Sequence, residues 1–200
     1  DTGALTDGGY DLRAVATDGA GNVTVSAVIV DRVVDNTAPV TADDAPTGWQ
    51  NAPVTVTLTA TDAGSGVTST EFSLDGGPFV PGTSVLVAAD GEHTLAYRAS
   101  DLAGNVELEK IVAVNVDTTA PTVSLDDPVT PLSGDVALLA EAADAGSGVV
   151  SVSFERAGAG TGQWKVIGAD TASPFEGLLD TGTLGDGRYD FRAVATDLAG

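Results

Sequence analysis

Several residue types are scarce or missing in this chain, and each shortage removes a class of function. There is no cysteine, so a disulfide framework and a thiolate metal site are both excluded. There is a single histidine, His93. A Ser-His-Asp site would need that residue poised beside a nucleophile. Only 8 basic residues stand against 29 acidic ones, a net charge of −21. That balance repels nucleic acid and anionic lipid, so neither is an expected partner. Aromatic residues are thin as well: five Phe, three Tyr and two Trp in 200 residues. No apolar run is long enough to span a bilayer, so direct membrane insertion is not expected.

What the chain has in quantity is turn and strand chemistry. Gly and Pro number 25 and 9, and Thr and Val fill the stretches between them. That is the composition of many short strands joined by tight turns. The acids are skewed toward aspartate, 22 Asp to 7 Glu. Aspartate belongs in turns, where its short side chain bonds the local backbone, and it is a common ligand for hard cations.

Three phrases recur. The first is "DGGYDLRAVATDGAGN" from Asp7, echoed by "DGEHTLAYRASDLAGN" from Asp90 and "DGRYDFRAVATDLAG" from Asp186. The second is "DNTAP" from Asp35 and "DTTAP" from Asp117. The third is "DAGSGV" from Asp62 and again from Asp144. Asp35 to Asp117 and Asp62 to Asp144 are both 82 residues apart, whereas Asp90 to Asp186 is 96. The period marks a tandem array. Residues 1–35 read as the F and G strands that end one repeat. Residues 36–117 read as a complete repeat. Residues 118–200 read as a further repeat that carries about fourteen extra residues and stops before its last strand. Pro39 and Pro121, in the "TAP" linkers, hold the chain extended at the two boundaries.

Within a repeat the pattern is that of strands. In "VTVTLTATD" (54–62) Val54, Val56, Leu58 and Ala60 share one face and threonines the other, which is period two. "YDLRAVA" (10–16) alternates in the same way. "NVELEKIVAVNVD" (105–117) is a longer last strand, with Lys110 interrupting its pattern as a bulge or an edge would. About seven short strands in 80–100 residues predict a β-sandwich. Tyr10 before Leu12, and Tyr189 before Phe191, match the tyrosine that ties the corner before strand F in immunoglobulin-type domains. His93 takes that place in the middle repeat.

"EFSLDGGPFV" with "DGEHTLAYRASDLAGNVE" (71–107) resembles the bacterial Ig-like repeats of OmpL47 type. "DGRYDFRAVATDLAG" and "DTTAPTV" resemble the Big-type Ig-like repeats of very large bacterial surface and secreted proteins. The resemblance covers the whole chain. It implies an all-β fold of tandem immunoglobulin-like β-sandwich domains. It also implies an extracellular or cell-surface location, and a non-catalytic role as a stalk, spacer or fibre-forming segment of an adhesin-like protein. The expected partners are neighbouring repeats of the same chain. Identical chains are a further expected partner, in a filament built by strand complementation. A carbohydrate- or protein-binding accessory module of a secreted enzyme or adhesin is the competing reading. It would use Trp49 or Trp164 as a stacking platform, although burial is the commoner use of tryptophan.

The candidate site follows from topology. In an Ig-type sandwich the B–C loop, the F–G loop and the incoming linker gather at one end. Asp62 (B–C), Asp101 (F–G) and Asp35 with Asn36 (linker) are therefore expected to converge, and so are Asp144, Asp197 and Asp117 one repeat later. Such carboxylates, with backbone carbonyls and water, make a shell for Ca²⁺. Turn formation alone also accounts for these aspartates, and no "DxDxDG" calcium loop occurs. No residues stand out as catalytic. Asp and Glu pairs for glycoside hydrolysis are not singled out by any spacing. "SLDGG" from Ser73 reads as a hairpin, and "NVT" from Asn22 as an unused glycosylation triplet.

Overall fold

A computed structural model describes residues 2–200. Eighteen strands and one 3₁₀ turn occur among the described residues. In chain order they are β1 (Gly8–Leu12), β2 (Val15–Thr17), β3 (Val23–Val25), β4 (Ile29–Val34), β5 (Val40–Asp43), β6 (Trp49–Gln50), β7 (Val54–Thr61), β8 (Val67–Leu74) and β9 (Val80–Pro81). They continue with β10 (Ser84–Val87), β11 (Gly91–Asp101), β12 (Lys110–Val116), β13 (Thr122–Leu125), β14 (Asp135–Ala143), β15 (Val149–Gly158), β16 (Lys165–Asp170), β17 (Phe175–Asp180) and β18 (Tyr189–Asp197), with the 3₁₀ turn at Thr181–Thr183. The chain is all-β, as the period-two pattern and the turn density require, and its strands form immunoglobulin-like sandwiches.

The chain divides into two compact bodies. One comprises the residues up to Ala45, with Thr55–Leu86 and His93–Ala113. Here β1 pairs antiparallel with β4, and β2 with β3, as one long hairpin with a bulge between Tyr10 and Leu12. In the same body β5 pairs antiparallel with β7, and β8 lies between β9 and β11. The interior is made by Val56, Leu58, Val85, Leu95, Tyr97 and Ala99, all at most 4% exposed. The alternation of β7 holds: its valines and leucine are buried while its threonines face solvent.

The other body comprises Pro46–Val54, Val87–Glu92 and Val114–Gly200. Its two main sheets run in the orders β13-β14-β17 and β16-β15-β18. Leu138, Ala140, Val152, Phe154, Phe175 and Leu179 form the core between them, with Phe191, Ala193 and Ala195 of β18 packed against it. Gly177 exists for this core, because a Cβ there would fall 2.6 Å from the Phe154 ring. The extra length of this repeat goes mostly into the long β15–β16 hairpin, and the rest into β17 and the 3₁₀ turn that follows it. Trp164 precedes β16 half-buried, and the Arg192 guanidinium lies 4.3 Å from its ring centroid.

The tyrosine corners are made. Tyr10 donates its hydroxyl proton to the Thr6 carbonyl at 2.7 Å, and Tyr189 to the Gly185 carbonyl at 2.9 Å. His93 replaces that tie with a side-chain contact, its Nδ1 lying 2.8 Å from Asp75 Oδ2.

Two expectations are altered. The strand expected at 105–117 begins only at Lys110. Before it, Glu107 turns inward and is 8% exposed. It accepts from the Thr41 N–H at 2.8 Å and the Thr41 hydroxyl at 2.6 Å, and Lys110 closes on it at 2.8 Å. A buried carboxylate satisfied this fully breaks the strand locally and ties β5 down. In the first hairpin the alternation does not translate into burial. Leu12, Val15, Val23 and Val25 are 47–58% exposed.

Two predictions follow from the packing. Phe154→Ala should cost about 3–5 kcal/mol in urea unfolding, as large-to-small core changes do. Val166→Ala, at a side chain that is 65% exposed, should stay within about 0.5 kcal/mol. Glu107 gives a pH test. Burial pushes its carboxyl up, but Lys110 and the Thr41 hydroxyl and N–H outweigh that and hold it below the ordinary value of 4.5. A depressed folded pKa means stability that is present at neutral pH and lost as pH falls below 4.5. Glu107→Gln should cost about 1–3 kcal/mol at pH 7, and its gap from the parent should narrow steadily as pH falls below 4.5 in a series of thermal melts.

Candidate metal centre

The site arises twice, from three local turns each time. The first turn follows β7. Asp62 Oδ2 accepts from the Gly64 N–H at 3.1 Å and the Gly66 N–H at 2.7 Å, and Gly66 supplies the positive φ of 87° the turn requires. The repeat after β14 is nearly superimposable in chemistry. Asp144 Oδ2 accepts from Gly146 at 3.0 Å and Gly148 at 2.7 Å, with Gly148 also at φ 87°.

The second turn closes strand F. Asp101 accepts from the Asn105 N–H at 2.8 Å and the Asn105 side-chain amide at 2.7 Å. Asp197 accepts from the Ala199 and Gly200 N–H groups at 2.9 and 2.8 Å. The third element is the linker. Asp35 Oδ2 accepts from the Ser65 N–H at 2.6 Å, and its Oδ1 from the Thr37 N–H at 3.1 Å. Asp117 does the same with Ser147 at 2.6 Å and Thr119 at 3.2 Å.

The outcome is two carboxylate triads. Asp35, Asp62 and Asp101 each place an oxygen within 4.8 Å of the others, and so do Asp117, Asp144 and Asp197. The expected residues therefore meet, except Asn36. Its backbone N–H goes to Asp7 and its side-chain amide to the Thr2 and Leu5 carbonyls, at 3.3 and 3.1 Å. Linker and F–G carboxylates are deeply buried: Asp35 8%, Asp101 3%, Asp117 2% and Asp197 7% exposed. The Ser65 hydroxyl and N–H hold the Asp35 carboxyl below the usual range, so it is ionised at neutral pH.

Hydrogen bonds do not saturate these groups. Asp62 Oδ1 and Asp144 Oδ1 are both buried and have no donor. The same atom is orphaned in both copies. Three clustered carboxylates repel one another, and a buried unpaired acceptor is costly. A hard divalent cation answers both, and oxygen-only ligation of this sort suits Ca²⁺. A recess of about 300 Å³ beside Asp117 and Asp197, lined also by Asn51, Thr118, Pro121 and Gly200, has room for the waters such an ion retains.

Two further aspartates belong to the arrangement and were not singled out by motif. Asp7 accepts from the Asn36 N–H at 2.7 Å and from the Thr37 hydroxyl. Asp90 accepts from the Thr118 N–H at 3.0 Å and from the hydroxyls of Thr118 and Thr119 at 2.9 and 3.0 Å. The available signal was the "DG" that opens each recurring phrase and the threonine two residues after each linker aspartate, Thr37 and Thr119.

The glycines of the B–C turns make the approach of the linker possible. A Cβ at Gly64 would lie 2.5 Å from the Asp35 carboxylate oxygens, and at Gly146 2.5 Å from Asp117 Cγ. Gly146→Ala should therefore lower stability by about 1–3 kcal/mol in chemical unfolding. Gly168→Ala, where a Cβ meets nothing within 4 Å, should change it by no more than about 0.5 kcal/mol.

Residues 121–193 match the model of a family described as the bacterial Ig domain. No curated protein matches the chain. Among solved structures, a segment of titin domains is similar over 96% of this chain and 70% of its own, at 14% identity and a TM-score of 0.55. The fibronectin(III)-like modules of Clostridium thermocellum CbhA align over 80% of this chain and 87% of theirs, at 20% identity and a TM-score of 0.48. Domains of chicken CNTN1 align over 96% and 71%, at 15% identity and 0.42. The titin likeness supports the fold alone.

Proposed function

We propose that this chain, whose residues 121–193 match the model of the bacterial Ig domain, is a non-catalytic spacer segment of a bacterial surface or secreted protein. The F–G end of one repeat at 1–35, the complete repeat at 36–117 and the further repeat at 118–200, which stops before its last strand, would be stiffened where each linker meets the next repeat by a bound Ca²⁺. Bacterial Ig domains are typically parts of surface or extracellular proteins, and Ig folds serve mostly as structural or accessory modules. The observation that carries the reading is the recurrence of one triad, with the same orphaned oxygen, at both linkers. A linker aspartate hydrogen-bonded by the B–C turn of the following repeat limits bending at that point, and a cation shared by all three carboxylates would limit it further.

Nothing in the chemistry of the chain supports catalysis. His93 is engaged by Asp75, where the other repeats use a structural tyrosine. The accessory-module reading draws less support. The ring of Trp164 already carries Arg192 against one face, and Trp49 pairs through its backbone in β6.

Calorimetric melts of the full chain in millimolar Ca²⁺ and in EDTA test the reading. At ten times the dissociation constant, stabilisation by linkage is about 1.4 kcal/mol. The midpoint should rise in Ca²⁺, and the rise should shrink when Asp62 and Asp101 are both replaced by Asn. Superimposable melts in Ca²⁺ and EDTA would leave the aspartates as turn formers and the array as a plain acidic spacer.

A further inference from the structure

We infer that Asp7 and Asp90 are positioning residues that set the cation affinity of the neighbouring triads, through the threonine that follows each linker aspartate by two. The inference rests on the cation reading above and concerns how that same site is tuned.

The geometry is the same at both linkers. The Thr119 hydroxyl donates to Asp90 Oδ2 at 3.0 Å, while the Thr119 N–H donates to Asp117 Oδ1 at 3.2 Å. One residue thus bridges the outer aspartate and the triad aspartate. Thr37 does the same, with its hydroxyl on Asp7 and its N–H on Asp35 at 3.1 Å. Each outer aspartate takes a second hold on the residue between, through the backbone N–H of Asn36 at 2.7 Å or of Thr118 at 3.0 Å.

The purpose of such a bridge is orientation. Asp35 and Asp117 reach their triads from the linker, an extended segment outside the sheets, whereas the other members sit on turns closed by their own backbone. The linker carboxylate is therefore the one whose direction depends most on outside support. With Thr119 fixed at both its hydroxyl and its N–H, the Asp117 carboxylate keeps one orientation, and an ion meets it already aimed. Outer partners that orient metal ligands typically alter affinity by about 10–100-fold when removed. The hydroxyl bonds here are exposed to solvent, which places the expected effect at the lower end of that range.

The first arm isolates the second triad, using the 200-residue chain with Asp62 and Asp101 both replaced by Asn. Ca²⁺ affinity is read by isothermal titration. Adding Asp90→Asn should weaken binding about tenfold. Thr119→Val should weaken it in the same direction, and Thr119→Ser, which keeps the hydroxyl, should restore it. The mirror arm carries Asn at Asp144 and Asp197, so that only the Asp35 triad remains. There Asp90→Asn should leave affinity unchanged and Asp7→Asn should lower it. A general loss of stability would not sort the two triads in this way.

A change of less than twofold on Asp90→Asn, or equal weakening at both triads, would overturn the positioning role while the cation reading stood. Absence of any Ca²⁺ binding by the parent chain would overturn both.

Discussion

The interaction on which the rest depends is the burial of a linker aspartate against the loop of the repeat that follows it. Asp35 and Asp117 leave the strand behind them and enter turns that contain no side chain at the point of contact. Gly64 and Gly146 are that point, since any Cβ would overlap the carboxylate. Ser65 and Ser147 then offer backbone N–H groups at 2.6 Å. An ionised group taken so far from water must be paired or fully hydrogen-bonded. The chain meets that demand with backbone donors for the linker and F–G aspartates, and leaves Asp62 and Asp144 each one oxygen short.

This arrangement changes how the net charge of −21 is to be read. Many of the aspartates are not a diffuse solubilising coat. Asp18, Asp62, Asp101, Asp144, Asp170 and Asp180 each accept backbone N–H groups within their own turns. They exchange propensity for hydrogen bonds, which is why the skew is toward Asp and away from Glu. Three of these, Asp62, Asp101 and Asp144, are also gathered, with Asp197 and the linker aspartates, into the two carboxylate triads.

The parts of the fold legible in sequence were those with local rules. The alternation of 54–62 and the corner tyrosines Tyr10 and Tyr189 depend on neighbours within a few residues, and the structure places them as that reasoning expects. Convergence of the triads was also legible, because it follows from which ends of a sandwich the loops occupy. Glu107 was not. Its burial depends on Thr41, 66 residues away, and periodicity carries no signal for such a pairing. Asn36 was drawn out of the triad by the Thr2 and Leu5 carbonyls, a choice between two polar surroundings that sequence does not rank. Asp7 and Asp90 escaped notice because "DG" is an ordinary turn opening, and only the fold brings each to a linker 27 or 28 residues ahead. Leu12 illustrates the opposite limit: alternation names an inward face, but burial needs a second layer over it.

Whether the two triads hold ions decides between a cation-stiffened array and a plain acidic spacer. The most direct measurement is a count of Ca²⁺ bound per chain, by native mass spectrometry with flow dialysis as a check. Two ions per chain, falling to one on Asp101→Asn and to none when Asp197→Asn is added, is the predicted result. No bound ion at millimolar Ca²⁺, or a stoichiometry indifferent to both substitutions, would contradict it.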